Sequence, residues 1–300
     1  MLTYTGLRNL YGDLTEDESS TNLTLGDTLI NLATQRLLSS FHWPFLVRSG
    51  TATTVASQQF YDLPYNFKKL TSLYITVSST RYVPRKIVDS VFWDELNATT
   101  QTSNIPQYYF IFNNQIGIFP IPASSGNTIT FRYRIRVKDL SLADYTTGTI
   151  TTATNGSATI TGSGTTFTAK MAGSWLRITD SNTANTGDGD WYEISSVTSA
   201  TVLVLLKTYA GTSIAAGSAV YTIGQISELP ENFQQLPVYK AAEQFYVKEQ
   251  KIDRSREFKR MYDEGFIEMR NEFFSLSDSP VLGDIDSEVL NPNLFPRNIT

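Results

Sequence analysis

Residues 128–137 read TITFRYRIRV, and this stretch predicts a β-strand with two chemically different faces. Apolar and polar side chains alternate along it: Ile129, Phe131, Tyr133, Ile135 and Val137 share one face, and Thr130, Arg132, Arg134 and Arg136 share the other. Strict alternation is typical of a strand that buries one face and exposes the other. We therefore expect a β-domain with its apolar face in a core and its arginine face in solvent.

The sequence before this strand predicts the rest of the same domain. Runs of strand-forming residues bounded by turn residues indicate strands at 58–62, 69–77, 81–87, 107–113 and 115–119, with a short helix at 88–96. Further upstream, apolar residues at three- and four-residue steps predict a helix over 19–41. Asn22 or Thr24 is its expected N-cap, and the helix should end before Pro44.

Two more helices are expected near the C-terminus. Pro230 opens the first, which reaches about residue 250, and Pro237 either kinks this helix or marks its true start. The second runs from about residue 253 to 274, with charges of both signs on its solvent side. The residues expected on the buried side of the pair are Phe245, Tyr246, Phe258, Met261, Phe266, Met269 and Phe273.

Residues 146–224 differ in composition from both flanks. Thr, Gly, Ser and Ala fill 48 of these 79 positions, a composition that suits either short strands with tight turns or a flexible linker. The strands expected here are Thr149–Ala153, Ala158–Thr161, Trp175–Thr179, Trp191–Val197, Thr201–Leu206 and Val220–Ile223. Regularly placed apolar residues supply a small core, so we predict an inserted all-β module; these residues are Ile160, Phe167, Trp175, Ile178, Trp191 and Ile194.

Residues 275–300 contain three prolines and also retain spaced apolar residues, and a purely disordered segment would be poorer in such apolar residues. We interpret this stretch as an extended arm that docks on another chain; the alternative is a tail that folds back on its own helices. The expected contact residues of the arm are Val281, Leu282, Ile285, Val289, Leu290, Leu294 and Phe295.

Together these patterns predict an α+β fold. It consists of a helical bundle (the N-terminal helix plus a C-terminal helical hairpin), an antiparallel β-domain and the inserted all-β module. The expected division is 1–145 for the first helix and the β-domain, 146–224 for the insert, 225–274 for the hairpin and 275–300 for the arm.

The composition excludes several classes of function. The chain has no Cys and a single His, so disulfides, thiolate metal sites and multi-His metal sites are excluded. A net charge of −5 argues against broad adhesion to nucleic-acid phosphates. No apolar run is long enough to span a bilayer and no signal-peptide pattern opens the chain, so we expect a soluble protein without membrane contact.

No motif predicts a catalytic, cofactor-binding or metal-binding residue. His42 lies among aromatic residues and is expected to pack at a helix end. The loop 180–190 is rich in Asp and Asn, but Ala184 stands where a calcium loop needs a ligand, so a solvated hairpin loop is the simpler interpretation. The arginines of 132–136 favour a solvated face or a partner contact, and Gly162-Ser163-Gly164 lacks the Lys of a phosphate loop. We expect no enzyme.

An ordered series of segments carries a resemblance to a known family. The N-terminal helix closes on Trp43-Pro44-Phe45, and then come residues 60–64 (FYDLP), 67–70 (FKKL), 108–122 (YYFIFNNQIGIFPIP) and the strand Ile129–Tyr133. Residues 229–233 (LPENF) then lead into the helical hairpin. In this order the flanks resemble the head-to-tail adaptor proteins of tailed bacteriophages, of the tail tubular protein A type. The insert departs from the minimal pattern of that family.

The resemblance implies a structural protein of the virion neck, assembled in the host cytoplasm. Such adaptors form rings, typically of twelve copies, between the portal protein and the downstream tail or nozzle protein, and DNA passes through without sequence-specific binding. The C-terminal arm would reach the portal. A mixed-charge hairpin suits side-to-side contacts that close a ring, and a net acidic wall would not retain DNA.

Two other functions stay open at this point. The insert could bind host-surface glycans, with Trp175, Trp191, Tyr192 and Tyr209 as stacking platforms. A tail depolymerase or lytic enzyme is the other, although no catalytic site supports it.

Overall fold

The computed structural model describes residues 1–180 and 186–274 of the chain. Within them the fold is mixed α+β with antiparallel sheets, as predicted, and it contains five α-helices where the sequence predicted four. The chain divides into two compact units: Met1–Ser40 together with the described residues from Asp139 onward, and Phe41–Lys138, which we call the β-unit. The expected division at residues 145, 224 and 274 stays a prediction.

The helices and strands follow one another along the chain in this order: α1 (Tyr4–Thr15), α2 (Ser20–Ser40), β1 (Val47–Thr53), β2 (Phe60–Asp62), β3 (Phe67–Val77), β4 (Thr80–Tyr82), β5 (Arg85–Lys86), α3 (Ser90–Leu96), β6 (Tyr108–Phe112), β7 (Gln115–Phe119), β8 (Thr128–Ile135), β9 (Thr149–Ala153), β10 (Thr159–Ser163), β11 (Trp175–Ile178), β12 (Trp191–Ser199), β13 (Val202–Leu205), β14 (Ile214–Ala219), β15 (Tyr221–Gly224), α4 (Leu236–Lys248) and α5 (Ile252–Phe274).

The N-terminal region contains one helix more than the sequence predicted. Helix α1 is capped by Thr3, whose hydroxyl accepts a hydrogen bond from the Gly6 amide. The predicted caps of α2 were wrong, because α2 begins at Ser20 and the Ser19 hydroxyl accepts the Asn22 amide. Asn22 is instead buried inside the helix, where its side chain accepts from Tyr11 and donates to Thr15.

Helices α1, α2, α4 and α5 share an apolar core. Pro237 lies in the first turn of α4, so it marks the start of the helix rather than a kink. The predicted buried side of α4 and α5 is confirmed for Phe245, Tyr246, Phe258 and Met269, whereas Met261, Phe266 and Phe273 are only half-buried.

The insert forms one seven-stranded sheet in the order β14-β9-β10-β13-β12-β11-β15. All six predicted strands are present and β14 was missed. Ile160, Phe167, Ile178 and Ile194 are buried as predicted. Trp175 and Trp191 were wrongly placed in the core: both are half-buried, and the large buried aromatic residues are Tyr209 and Tyr221.

Hydrogen bonds fasten both ends of the insert to the start of α1. The Thr3 hydroxyl donates to Asp144 Oδ2 at 2.8 Å, and the Tyr4 amide donates to the Gln225 carbonyl at 2.7 Å. The side chain of Gln225 accepts the amides of Ser141 and Leu142. The insert therefore leaves and rejoins the chain beside one helix terminus.

The β-unit contains two four-stranded sheets, ordered β1-β8-β3-β4 and β2-β7-β6-β5. Strand β8 has partners on both sides and buries Ile129, Phe131, Tyr133 and Ile135, as its alternation predicted. The prediction of a fully exposed arginine face was wrong at Arg134, which is buried and donates to the Phe41 carbonyl. Strand β5 departs from the antiparallel arrangement, since it pairs in parallel with β6.

Candidate interface on the β-unit

The predicted arm residues lie outside the described part of the chain. They are Val281, Leu282, Ile285, Val289, Leu290, Leu294 and Phe295. Their role in partner binding stays a prediction.

The described residues hold no assembled metal or histidine site. No group of three His, Asp or Glu residues among them is placed to hold a metal ion. His42 is exposed, so its predicted packing role was wrong; the neighbouring Trp43 is fully buried, and its ring contacts those of Phe41 and Phe45. No helix among the described residues has the length and apolar character needed to cross a bilayer.

The acidic loop of the insert lies partly outside the described residues, but its second half is structured around Asp188. This carboxylate accepts hydrogen bonds from the Tyr192 hydroxyl and from the Asp190 amide. Burial, together with the bond to Asp188, raises the pKa of Tyr192 to about 12. Asp188 therefore works within the fold of the insert, as expected for a hairpin loop.

The glycan platform expected on the insert is not assembled. Tyr209 is only 1% exposed, so its ring cannot stack on a sugar. One face of Trp191 is covered by the guanidinium of Arg177, at 5.8 Å from the ring centre. Trp175, Trp191 and Tyr192 are half-buried. Because a stacking platform needs open aromatic faces, the geometry does not favour glycan binding.

Charge is distributed very unevenly between the two units. The β-unit carries ten Lys and Arg against four Asp and Glu, a net charge of +6, whereas the rest of the chain has a net charge of −11. Nine of the ten basic residues are exposed, Arg134 being the exception. The overall charge of −5 conceals this segregation, and sequence analysis could have found it by counting charges over 41–138.

The helices use their charges differently. Along α5 the charges are paired: Lys259 Nζ lies 3.1 Å from Asp263 Oδ2, and Arg254 Nη1 lies 3.4 Å from Glu257 Oε2. In the β-unit, by contrast, Lys68, Lys69 and Lys86 have no carboxylate of the described residues within 4.0 Å. These three lysines therefore retain their full positive potential for another molecule.

The three lysines border a groove of about 260 Å³ between the start of β3 and the β5–β6 pair. The apolar lining of the groove consists of Phe67, Leu70, Ile87, Val88, Phe110 and Ile111. Val88 is 81% exposed, whereas the other apolar lining residues are buried or half-buried. The groove therefore combines an apolar floor with a basic rim.

An aromatic ladder continues from this groove along β6. Trp93 of α3 stacks on Phe110 at 5.3 Å between ring centres, and Phe110 stacks on Phe112 at 6.3 Å. Trp93 is buried, Phe110 is half-buried and Phe112 is 65% exposed. The ladder thus carries apolar surface from the core outward, as at contact sites with other proteins.

Comparison with known proteins identifies the family. The sequence model of the SU10 adaptor protein family matches residues 2–156, more than half of the 300 residues. No curated protein matches the chain. The chain therefore belongs to the SU10 adaptor protein family, which confirms the resemblance to phage head-to-tail adaptors. Membership implies a structural protein of the virion neck that contacts portal and tail components, in a family that is typically non-enzymatic.

Proposed function

We propose that this adaptor protein forms a ring of twelve copies that joins the portal of the phage head to the downstream tail or nozzle protein. DNA passes through the ring without sequence-specific binding. The observation that carries this proposal is the family match over residues 2–156.

The charge segregation of the chain supports ring closure. A ring of identical copies needs a heterologous contact, in which one face of a copy meets a different face of the next. A β-unit of charge +6 and a remainder of charge −11 supply unlike faces whose potentials attract each other. Two copies that meet through like faces would repel, so the charges favour a head-to-tail arrangement over a symmetric dimer.

Packing within the helical region also supports the proposal, because a ring needs rigid subunits. We propose that α1, α2, α4 and α5 form the helical bundle of the adaptor, with α4 and α5 as its hairpin. Tyr246 of α4 stacks on Phe258 of α5 at 5.6 Å, and its hydroxyl donates to the Leu14 carbonyl of α1. Three helices are thereby fixed around one side chain.

In this proposal the arm 275–300 makes the portal contact through the seven expected contact residues named above. An arm adds its contacts to a partner that the ring already holds nearby, so even weak contacts raise the total affinity.

The mass of the purified full-length chain, measured alone and with portal, tests the ring. We expect a twelvefold species on portal, with the chain located in the neck in micrographs of intact particles. A chain that stayed monomeric on portal, or that was missing from the neck, would contradict the proposal.

Substitutions in the arm test the portal contact. The double variant V289D/L290D should lose portal binding, because it places charge at two expected apolar contacts. The matched control S277D/S279D adds the same charge to the same segment and should still bind. Equal binding by both variants would move the portal contact away from the arm.

A further inference from the structure

We propose that the lysine-rimmed groove of the β-unit is a docking site for an extended acidic segment of this same polypeptide, residues 284–290. This proposal does not depend on the portal contact, and the two contacts are tested by separate variants.

The groove lies between two strand edges whose backbone N–H and C=O groups pair with no other strand of the described residues. Strand β4 pairs only with Ile75, Thr76 and Val77 of β3, so the first half of β3 pairs with β8 on one side and with no strand of the described residues on the other. Strand β5 is the outermost strand of its own sheet. Unpaired strand edges bind extended peptides through main-chain hydrogen bonds.

The side chains around the groove define what such a peptide must carry. Six apolar residues line it and the rim contributes Lys68, Lys69 and Lys86, none of which has an acidic partner in the described chain. The matching ligand is an extended segment with aliphatic residues on one side and carboxylates on the other. A nucleic-acid backbone would satisfy the lysines and leave the apolar floor uncovered.

Residues 284–290 have this pattern. They read DIDSEVL, so Asp284, Asp286 and Glu288 alternate with Ile285, Ser287 and Val289. In an extended conformation the three acids share one side and Ile285 and Val289 share the other, with about 7 Å between successive acids. The segment 275–300 as a whole carries four acids and one base, the sign that complements the β-unit.

Docking would also give the apolar residues of this segment a contact within the protein itself. The segment 275–300 carries nine apolar residues, and exposed apolar segments promote aggregation. Nine residues separate Phe274 from Asp284, enough for a span of about 35 Å when extended. The segment can therefore reach a groove at that distance in its own copy, or a nearby groove in a second copy.

The absence of native cysteine allows a direct test in the full-length chain. The variant V88C/S287C places one thiol in the groove and one in the middle of the segment. We expect a disulfide under mild oxidation, within one chain or between two copies, resolved by mobility on a non-reducing gel. The matched control T80C/S287C moves the first thiol to exposed Thr80 of β4. Thr80 pairs with Val77 at the far end of β3, about 23 Å from Leu70 along that strand, so this pair should cross-link at least tenfold more slowly.

Charge reversal shows whether the lysines recruit the segment. The substitutions K68E/K69E/K86E should slow the V88C–S287C cross-link about tenfold, and D284K/D286K/E288K in the same chain should restore it. Restoration excludes misfolding as the cause of the loss. Equal rates in the T80C control, or a rate insensitive to K68E/K69E/K86E, would overturn the proposal. Lysine-dependent binding of a 20-bp DNA duplex without any cross-link would identify DNA as the ligand instead and would also overturn it.

Discussion

The insert and the β-unit are both built from short strands, yet they differ in how much apolar surface and charge each leaves unused. The insert collects fifteen buried residues in one cluster that extends across its single sheet. The β-unit buries just as many hydrophobic residues, but it leaves eight large hydrophobic side chains exposed, among them Val88 and Phe112, against two in the described part of the insert. Apolar surface that a region does not bury for its own folding marks a contact with another chain. The comparison therefore assigns the insert to scaffolding and the β-unit to binding.

Truncation of one large apolar side chain in each region tests this contrast most strongly. Leu203 is completely buried in the insert, so Leu203→Ala should lower the free energy of unfolding by about 2–5 kcal/mol. Phe112 is mostly exposed, so Phe112→Ala should change it by no more than about 0.5 kcal/mol. Urea unfolding of both variants measures the difference. Comparable losses would mean that Phe112 belongs to a core and that the contrast is wrong.

Two glycines with the same left-handed backbone test packing at a finer scale. Gly148 in the insert has φ +81°, and an added Cβ would lie 2.5 Å from the Ser163 carbonyl oxygen. Gly126 in the β-unit has φ +94° with nothing within 4 Å of that position. We expect Gly148→Ala to cost about 3 kcal/mol and Gly126→Ala about 1 kcal/mol, because only the first adds a clash to the backbone strain.

Thermal or urea unfolding of the two glycine variants gives the comparison directly. Since both substitutions introduce the same strained φ, the difference between them isolates the close packing of the insert. A cost at Gly126 as large as that at Gly148 would show that the β-unit is packed just as tightly there.

Much of the fold could be predicted because apolar and polar residues alternate along most of its strands. The strand β8 and the six predicted strands of the insert depend on local residue patterns, and these patterns agree with the tertiary contacts. Strand β1 was missed because it reads VRSGTAT, where small polar residues hide the alternation. Helix α1 was missed for a related reason: its position depends on the Thr3 cap and on packing of Tyr11 against Phe245, which is far away in sequence.

The candidate interface was far less predictable. The sequence predicted an exposed basic face for the arginines of β8. Arg134 is instead buried and donates to the Phe41 carbonyl, a contact that no local pattern encodes. The groove combines Lys68 and Lys69 with Lys86 and Phe110, which come together only through the placing of β3 beside β5 and β6. A net charge of +6 over 41–138 was the one signal present in the sequence itself.

Tyrosine ionisation probes the electrostatic side of the comparison. In the insert, burial and the bond to Asp188 raise the pKa of Tyr192 to about 12. In the β-unit, burial raises the pKa of Tyr133, and the nearby Arg48 opposes that shift. A raised folded-state pKa gives stability that is complete below pH 10 and is lost as the pH rises through about 12.

Tyr192→Phe should therefore flatten the alkaline loss of stability. Between pH 9 and pH 11.5 we expect the free energy of unfolding of the wild type to fall by about 1 kcal/mol more than that of the variant, a value reduced from the full linkage effect because the side chain is partly exposed. Urea titrations at the two pH values measure this. An identical fall in both proteins would show that the neutral form of the Tyr192 side chain does not stabilise the fold.

The smallest expected difference in stability is between the loss of a paired lysine and the loss of a lysine without an acidic partner in the described chain. Lys259→Ala removes an i,i+4 pair with Asp263 on α5 and should cost about 0.4 kcal/mol at low salt, less in 0.5 M NaCl. Lys69→Ala removes a lysine that has no acidic partner within the described chain from a unit of charge +6, so stability should stay the same or rise slightly at low salt. Urea unfolding of both variants at 50 mM and 500 mM NaCl measures the change in the free energy of unfolding for each substitution and its dependence on salt. A salt-sensitive loss for Lys69→Ala equal to that of Lys259→Ala would mean that the folded chain already supplies Lys69 with an anion, and the lysine rim would then have no charge left for a binding partner.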